Sequence, residues 1–202
     1  MKRRMSAGNR REQILQGAMQ LFARKGFRGT TTREIARRLR ISEALMFKYF
    51  PSKKALYRAI IQKRMGGTEE IYFPKETIQA KDDRQVFRSI ASFSIQKNTE
   101  DPTFLRLVLY SALEGHELSR IFFDYYVMEK TRLLAKYIRQ RIKEKAFKPV
   151  PPMLAARAFM GMIVHYAQAQ EIYGLKKFYH FSQSKVVDTF VETFLNGLNG
   201  GA

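Results

Sequence analysis

The sequence predicts an all-α fold of about nine helices, a small N-terminal three-helix unit followed by a larger helical body. Apolar residues recur at helical spacing through almost all of the 202 residues. No strand-like alternation and no fixed-period repeat stands out, and the breaks between apolar runs carry helix caps and stops. A hydrophobic content of 45%, with 16 Phe, excludes a disordered chain, and the absence of Cys excludes a disulfide framework. The longest apolar or small run, Ala158 to Val164, is far short of the ~20 residues of a membrane span. The basic start Met1 to Met5 leads into no apolar segment, so a soluble cytoplasmic protein is expected.

Each element has its own signal. Ile14, Leu15, Ala18, Leu21 and Phe22 line one face of a first helix, about Arg10 to Lys25. Gly26 ends it by supplying a left-handed position, with Phe27 placed for the apolar contact that accompanies such a stop. Thr31 and Glu34 have capping-box spacing and open a second helix, whose apolar face is Ile35, Ala36 and Leu39. It is short, because Ser42 is the next N-cap. A third helix, about Glu43 to Tyr49, turns Met46 and Phe50 toward the core. Pro51 and Ser52 mark a break and a fresh cap, and Leu56, Ala59, Ile60 and Lys63 share a face of a fourth helix. Beyond Gly66, helices are expected over about 82–98, 102–114, 117–146, 152–172 and 184–198. Asp101-Pro102 opens one of these, Gly115 closes one, Lys148 to Pro152 separates two and Gly174 ends another. The expected division is a helix-turn-helix domain over 1–50 (basic arm 1–9), a connecting helix over 51–65 and a body over 66–202.

Charge follows the same division. Of a formal +19, residues 1–65 hold 18 Lys and Arg against three acids (Glu12, Glu34, Glu43), and residues 66–202 hold 19 against 15. Such asymmetry fits a polyanion-binding head on a nearly balanced body, with nucleic acid the first partner and an anionic membrane surface the second. The basic arm, Lys2, Arg3, Arg4, Arg10 and Arg11, suits phosphate or minor-groove contacts.

Two short helices joined by a tight turn, inside a basic three-helix unit, are the layout of a helix-turn-helix reader. The run Thr32-Arg-Glu-Ile-Ala-Arg-Arg-Leu-Arg-Ile-Ser-Glu-Ala-Leu-Met-Phe-Lys-Tyr-Phe-Pro-Ser-Lys53 resembles the N-terminal domain of the tetracycline-repressor (TetR) family. Leu21 to Phe27 before it and Lys54-Ala-Leu56 after it fit as well, so the resemblance covers about residues 10–58. It implies a homodimeric transcriptional regulator, usually a repressor, that binds a pseudo-palindromic duplex operator and is released by a small-molecule effector held in the body.

The resemblance also assigns positions. Thr31 and Thr32 begin the scaffold helix, where a hydroxyl serves a phosphate oxygen or the cap alone. Arg33, one turn in, reaches a guanine edge or a phosphate. Ser42, Glu43, Ala44, Leu45, Phe47, Lys48 and Tyr49 take the exposed or groove-facing positions of the recognition helix. Phe47 stands in place of a usual tyrosine and Tyr49 in place of a usual histidine. Leu45 suits a thymine methyl, or is one of the many tolerated exposed leucines. Arg40 stands where the family's turn usually carries glycine, and Ala44 also replaces a frequent glycine. A left-handed non-glycine residue costs ~1–2 kcal/mol, which a phosphate contact by Arg40 would offset. Lys53 gives an independent argument. Cations at a helix N-terminus are disfavoured by ~0.3–1 kcal/mol, so Lys53 and Lys54 behind the Ser52 cap fit a phosphate bound at that helix end.

In the body, Val186, Val187, Phe190, Val191, Phe194, Leu195 and Leu198 form a stripe too wide for one core contact. The helix over 152–172 is apolar nearly all round, with small Ala155, Ala158 and Gly161. The last two helices therefore fit a dimer interface including Ala155, Ala158, Met162, Val187, Phe190, Val191 and Phe194, or else a thicker monomer core. Aromatics crowd the middle helices. By the resemblance, Phe93, Phe104, Phe123, Tyr126, His165 and Gln168 are candidates to line a cavity for an apolar or aromatic effector, although such a stripe also serves as plain core.

A helical enzyme and a peripheral membrane binder are the alternatives. His116, His165 and His180 show no metal-ligand spacing, and there is no P-loop or dinucleotide motif. A membrane binder needs a free apolar helix face, whereas those within 10–60 are all required by a small core. No catalytic residue, metal or cofactor is expected.

Overall fold

The computed structural model describes residues 6–66, 72–115 and 117–199. Among them are eleven α-helices and no strand. They are α1 (Ala7–Lys25), α2 (Thr32–Leu39), α3 (Glu43–Tyr49), α4 (Lys53–Met65), α5 (Lys75–Gln79), α6 (Asp83–Glu100), α7 (Pro102–Leu113), α8 (Glu117–Phe122), α9 (Met128–Lys143), α10 (Pro152–Glu171) and α11 (Gln183–Leu198). Side-chain caps fix where many of them begin. Ser6, Thr31, Ser42, Ser52, Asp82 and Ser182 each accept a hydrogen bond from the amide three residues on, as their short polar side chains favour.

The expected helix over 117–146 is interrupted. A π-helical turn, Phe123–Val127, lies between α8 and α9. One wide turn barely shifts the apolar spacing, so periodicity does not reveal it. The five residues of α5 and a 3₁₀ turn at Leu175–Lys177 are too short for a periodic signal. The basic arm is also revised. Capped by Ser6, α1 starts early enough to include Arg10, which donates to Gln13, and Arg11, which lies over the Phe50 ring. Lys2, Arg3, Arg4 and His116 lie outside the described residues.

The chain forms two compact units, residues 1–66 with 103–123, and residues 67–102 with 124–202. Residues 103–123, grouped with the body on sequence, thus pack into the head. Beside Leu56 and Ile60, α4 also buries Tyr57 and Ile61, which three short helices do not cover. Phe104, Leu107 and Val108 of α7 close that side, in one core with Ile14, Leu15, Phe22, Ile35, Met46 and Phe50. The Tyr57 hydroxyl donates to the Leu107 carbonyl at 3.3 Å.

The second unit packs α6, α9, α10 and α11 around Phe87, whose ring meets Phe159 at 4.9 Å and Phe194 at 5.2 Å. Charges pin its helices in register. Arg141 of α9 makes two 2.8 Å bonds to the Asp83 carboxylate of α6, which also accepts from the Tyr137 hydroxyl. Ion pairs Arg84–Glu192 and Arg88–Asp188 join α6 to α11. Among the described residues no helix is long and apolar enough to cross a membrane.

Candidate nucleic-acid interface

The turn between α2 and α3 is built from Arg40 and Ile41. Arg40 adopts the left-handed conformation, φ 54° and ψ 45°, where glycine would be free of strain. Its amide and that of Ile41 donate to the last carbonyls of α2, Arg37 and Ala36, so the stop keeps its hydrogen bonds without glycine. The Arg40 side chain is exposed. Beyond the turn, Ser42 caps α3 and Met46 is the helix's one fully buried residue.

Burying Met46 orients the rest of α3. Ala44, Phe47 and Lys48 fall on one outward face, and Phe47 is 41% exposed. Glu43 and Leu45 flank that face, half-buried. Tyr49 departs from its expected position, because it is half-buried against the head's core. On α2, Thr31 caps the helix at 3.1 Å from the Glu34 amide, Thr32 is half-buried and Arg33 is exposed. Arg33 lies 3.8 Å from the Glu43 carboxylate, a contact across the turn too long for a hydrogen bond.

Lys53 has a role that its position in the sequence conceals. Its Nζ donates to the carbonyls of Phe27 and Thr30, each at 2.8 Å, and sits 4.3 Å from the centre of the Phe27 ring. Partial burial lowers its pKa, and the charge of Glu114 opposes that effect. The turn from α1 to α2 is tied at two further points. The buried Thr30 hydroxyl donates to the Gly26 carbonyl at 2.8 Å. Glu114, which the sequence reading does not single out, accepts from the amides of Phe27 at 3.0 Å and Arg28 at 3.2 Å. Gly26, at φ 72°, makes room for that carboxylate, since a Cβ there would stand 2.2 Å from Glu114 Oε1. Glu114 is far from the turn in sequence, so no local pattern marks it.

The six candidate effector residues do not all converge, though Phe93 and Tyr126 meet around Tyr72 and Lys130. Phe104 belongs to the head's core, and Phe123 is exposed beside Phe122. In the second unit, Phe93 and Lys130 pack against Tyr72, and Lys130 also lies over the ring of Tyr126. Gln168 is half-buried and His165 is exposed. An open groove of about 350 Å³ on α6 is lined by Gln85, Arg88, Ser89, Ser92, Phe93 and Gln96 and is mostly polar.

The candidate dimer residues divide by burial. Val187 and Val191 are each 1% exposed and belong to the protomer's own core. Ala155, Met162, Phe190 and Phe194 are half-buried, while Ala158 is exposed. What stays open is a stripe of α10, Leu154, Ala158, Gly161 and His165, and one of α11, Thr189, Thr193 and Gly197.

Residues 14–60 match the family described as bacterial regulatory proteins, tetR family, and residues 85–197 match the C-terminal domain of AefR-like transcriptional repressors. The chain is 46% identical over 50 residues to the uncharacterized HTH-type transcriptional regulator YvkB of Bacillus subtilis (strain 168), a match spanning 25% of this chain and 26% of that relative. AibR and PfmR are among the solved structures that share the fold. AibR in complex with isovaleryl coenzyme A and operator DNA superposes with a TM-score of 0.70 at 21% identity, covering 91% of this chain and 97% of that one. The TetR-family regulator PfmR of Thermus thermophilus gives 0.68 at 19% identity, over 91% and 97% of the two chains. With a helix-turn-helix in a basic head, and with both parts of the chain matching one family, this protein belongs to the TetR family of DNA-binding transcriptional regulators.

Proposed function

We propose that the chain is a cytoplasmic, ligand-responsive repressor that binds a pseudo-palindromic operator as a homodimer. The observation that carries this reading is the outward face of α3. Ala44, Phe47 and Lys48 project from a helix whose Met46 is locked in the core and whose first turn Ser42 caps, inside the basic third of the chain. Bases are read by this face with Glu43, Leu45 and Arg33, where an arginine or lysine suits guanine and an apolar side chain suits a thymine methyl. Thr31, Thr32, Arg40, Ser42 and the edge of Tyr49 meet the backbone, and Lys53 offers it the one N–H that the turn leaves over.

The open stripes of α10 and α11 supply the dimer contact, and their small residues permit close helix approach. A dimer sets two α3 helices one turn of duplex apart, about 34–36 Å. The effector is small and mostly apolar, read by the aromatic group of Tyr72, Phe93 and Tyr126. AibR, which shares this fold, is described in complex with isovaleryl coenzyme A and operator DNA, and that supports a small-molecule effector here. The effector releases DNA by favouring the state with misplaced reading helices, at a coupling energy of ~1–3 kcal/mol.

Selection of duplexes from a random pool tests the reading. The expected product is a palindrome bound by two chains, with log K falling against log salt at roughly −0.9 per phosphate contacted. Binding with no sequence preference at moderate salt would overturn it.

A further inference from the structure

We infer that Glu114 is a positioning residue for operator recognition, holding the α1–α2 turn so that α2 and α3 stand in reading position. This rests on the proposed DNA-binding function and adds a residue from outside the first four helices that holds the reading helices in place.

The five-residue stretch from Gly26 to Thr30 sets where α2 leaves α1, because the Thr31 cap follows at once. Three side chains from three different places hold it. Thr30 ties it to itself, Lys53 of α4 takes its carbonyls, and Glu114 takes its amides. Only the third tie comes from outside the first four helices. Glu114 follows the last residue of α7, and the segment 103–123 that contains it is joined at both ends to the second unit. At its far end this segment runs into the π turn Phe123–Val127. Glu114 therefore grips the turn before the scaffold helix from a segment outside the first four helices.

The geometry uses both carboxylate oxygens, Oε2 for the Phe27 amide and Oε1 for that of Arg28. Loss of the side chain frees two amides and removes the neighbouring negative charge that raises the Lys53 pKa against the effect of burial. Charge and position then act in opposite directions. Removing an acid from a basic head strengthens binding to any duplex, whereas releasing the turn weakens binding to the operator.

The experiment compares full-length wild type, Glu114→Ala and Glu114→Gln on the selected operator and on an unrelated duplex across a salt series. Hydrogen exchange is followed at the Phe27 and Arg28 amides. The expected result is operator binding about tenfold weaker for Ala, an unrelated duplex bound at least as well, and an unchanged salt slope. Gln, with one acceptor oxygen, falls between. Exchange speeds up at Phe27 and Arg28 but not along α1, which separates a local release from general destabilisation. Ala and Gln binding the operator as well as wild type would overturn the inference, as would exchange rising equally throughout the head. If wild type selects no duplex, the DNA-binding reading has failed, and the exchange data still report whether Glu114 holds the turn.

Discussion

Lys53→Met removes the ammonium from the α1–α2 turn and keeps the length and apolar character of the stem. The ammonium makes two 2.8 Å hydrogen bonds to carbonyls and one ring contact. Hydrogen bonds to a charged group contribute ~1.5–3 kcal/mol each, and a cation–π contact at an exposed site ~0.5–1 kcal/mol. Against them stand the desolvation that lowers the Lys53 pKa and ~0.3–1 kcal/mol of repulsion from the positive end of α4. Water also competes for the donors of a half-exposed group, so the net loss expected in urea unfolding is ~1–3 kcal/mol. A separate quantity reads the DNA contact. If the remaining N–H meets a phosphate, the slope of log K against log salt flattens by ~0.9 for each chain bound. Wild-type stability in the variant would refute the turn staple, and an unchanged slope would remove the phosphate.

Arg40→Gly relieves the left-handed strain at φ 54° and should raise stability by up to ~1 kcal/mol, seen as a higher urea midpoint. It should also weaken operator binding severalfold, and unchanged affinity takes Arg40 off the DNA face. Ala158→Glu places a carboxylate on the open stripe of α10 of each protomer, and like charges brought together cost on the order of several kcal/mol. Sedimentation should then show a monomer with wild-type helicity, and a persistent dimer rejects this face. The pH response follows from three carboxylates. Hydrogen bonds from Lys63 hold Glu12 below its ordinary 4.5, Lys25 does the same for Glu34, and Gln140 and then Lys81 bring Glu144 to about 2. Their stabilisation is complete above pH 4.5 and is lost as pH falls through the lowered values, so the melting temperature should stay level from neutrality to ~pH 5 and drop below it. A decline beginning above pH 6 would contradict this.

Helix starts were legible because their causes are local. Ser42, Ser52 and Thr31 each bond an amide three residues on, a pattern carried by four consecutive residues. Core assignments in the head were legible for the same reason, since Met46 and Phe50 are fixed by the short spacing of α3. Half-burial of Tyr49 against the head's core was not legible, because it depends on what packs beside α3 and not on the period within it. Val187 and Val191 show the same limit. A wide apolar stripe says that two surfaces are covered, but the sequence does not say which half faces the protomer's own Phe87 and Phe159. The effector candidates fared least well, because aromatics at helical spacing serve two different cores, and Phe104 turned out to belong to the head.

Lys53 marks the boundary of what such reasoning reaches. Two cations at the start of α4 call for a compensating negative partner, because the helix dipole disfavours them there. The partner found within the chain is a pair of carbonyl oxygens 23 and 26 residues away, a contact no local pattern encodes. Glu114 is the same case at greater distance, with its acceptors used 86 and 87 residues back along the chain. Both ties converge on one turn, and together they satisfy backbone groups that α1 and α2 leave open between them. The residues proposed to read DNA stand together in one short motif, Thr31 to Lys53, and so are visible in the sequence. The residues that place them are not, because a turn is held by whatever the rest of the fold brings to it.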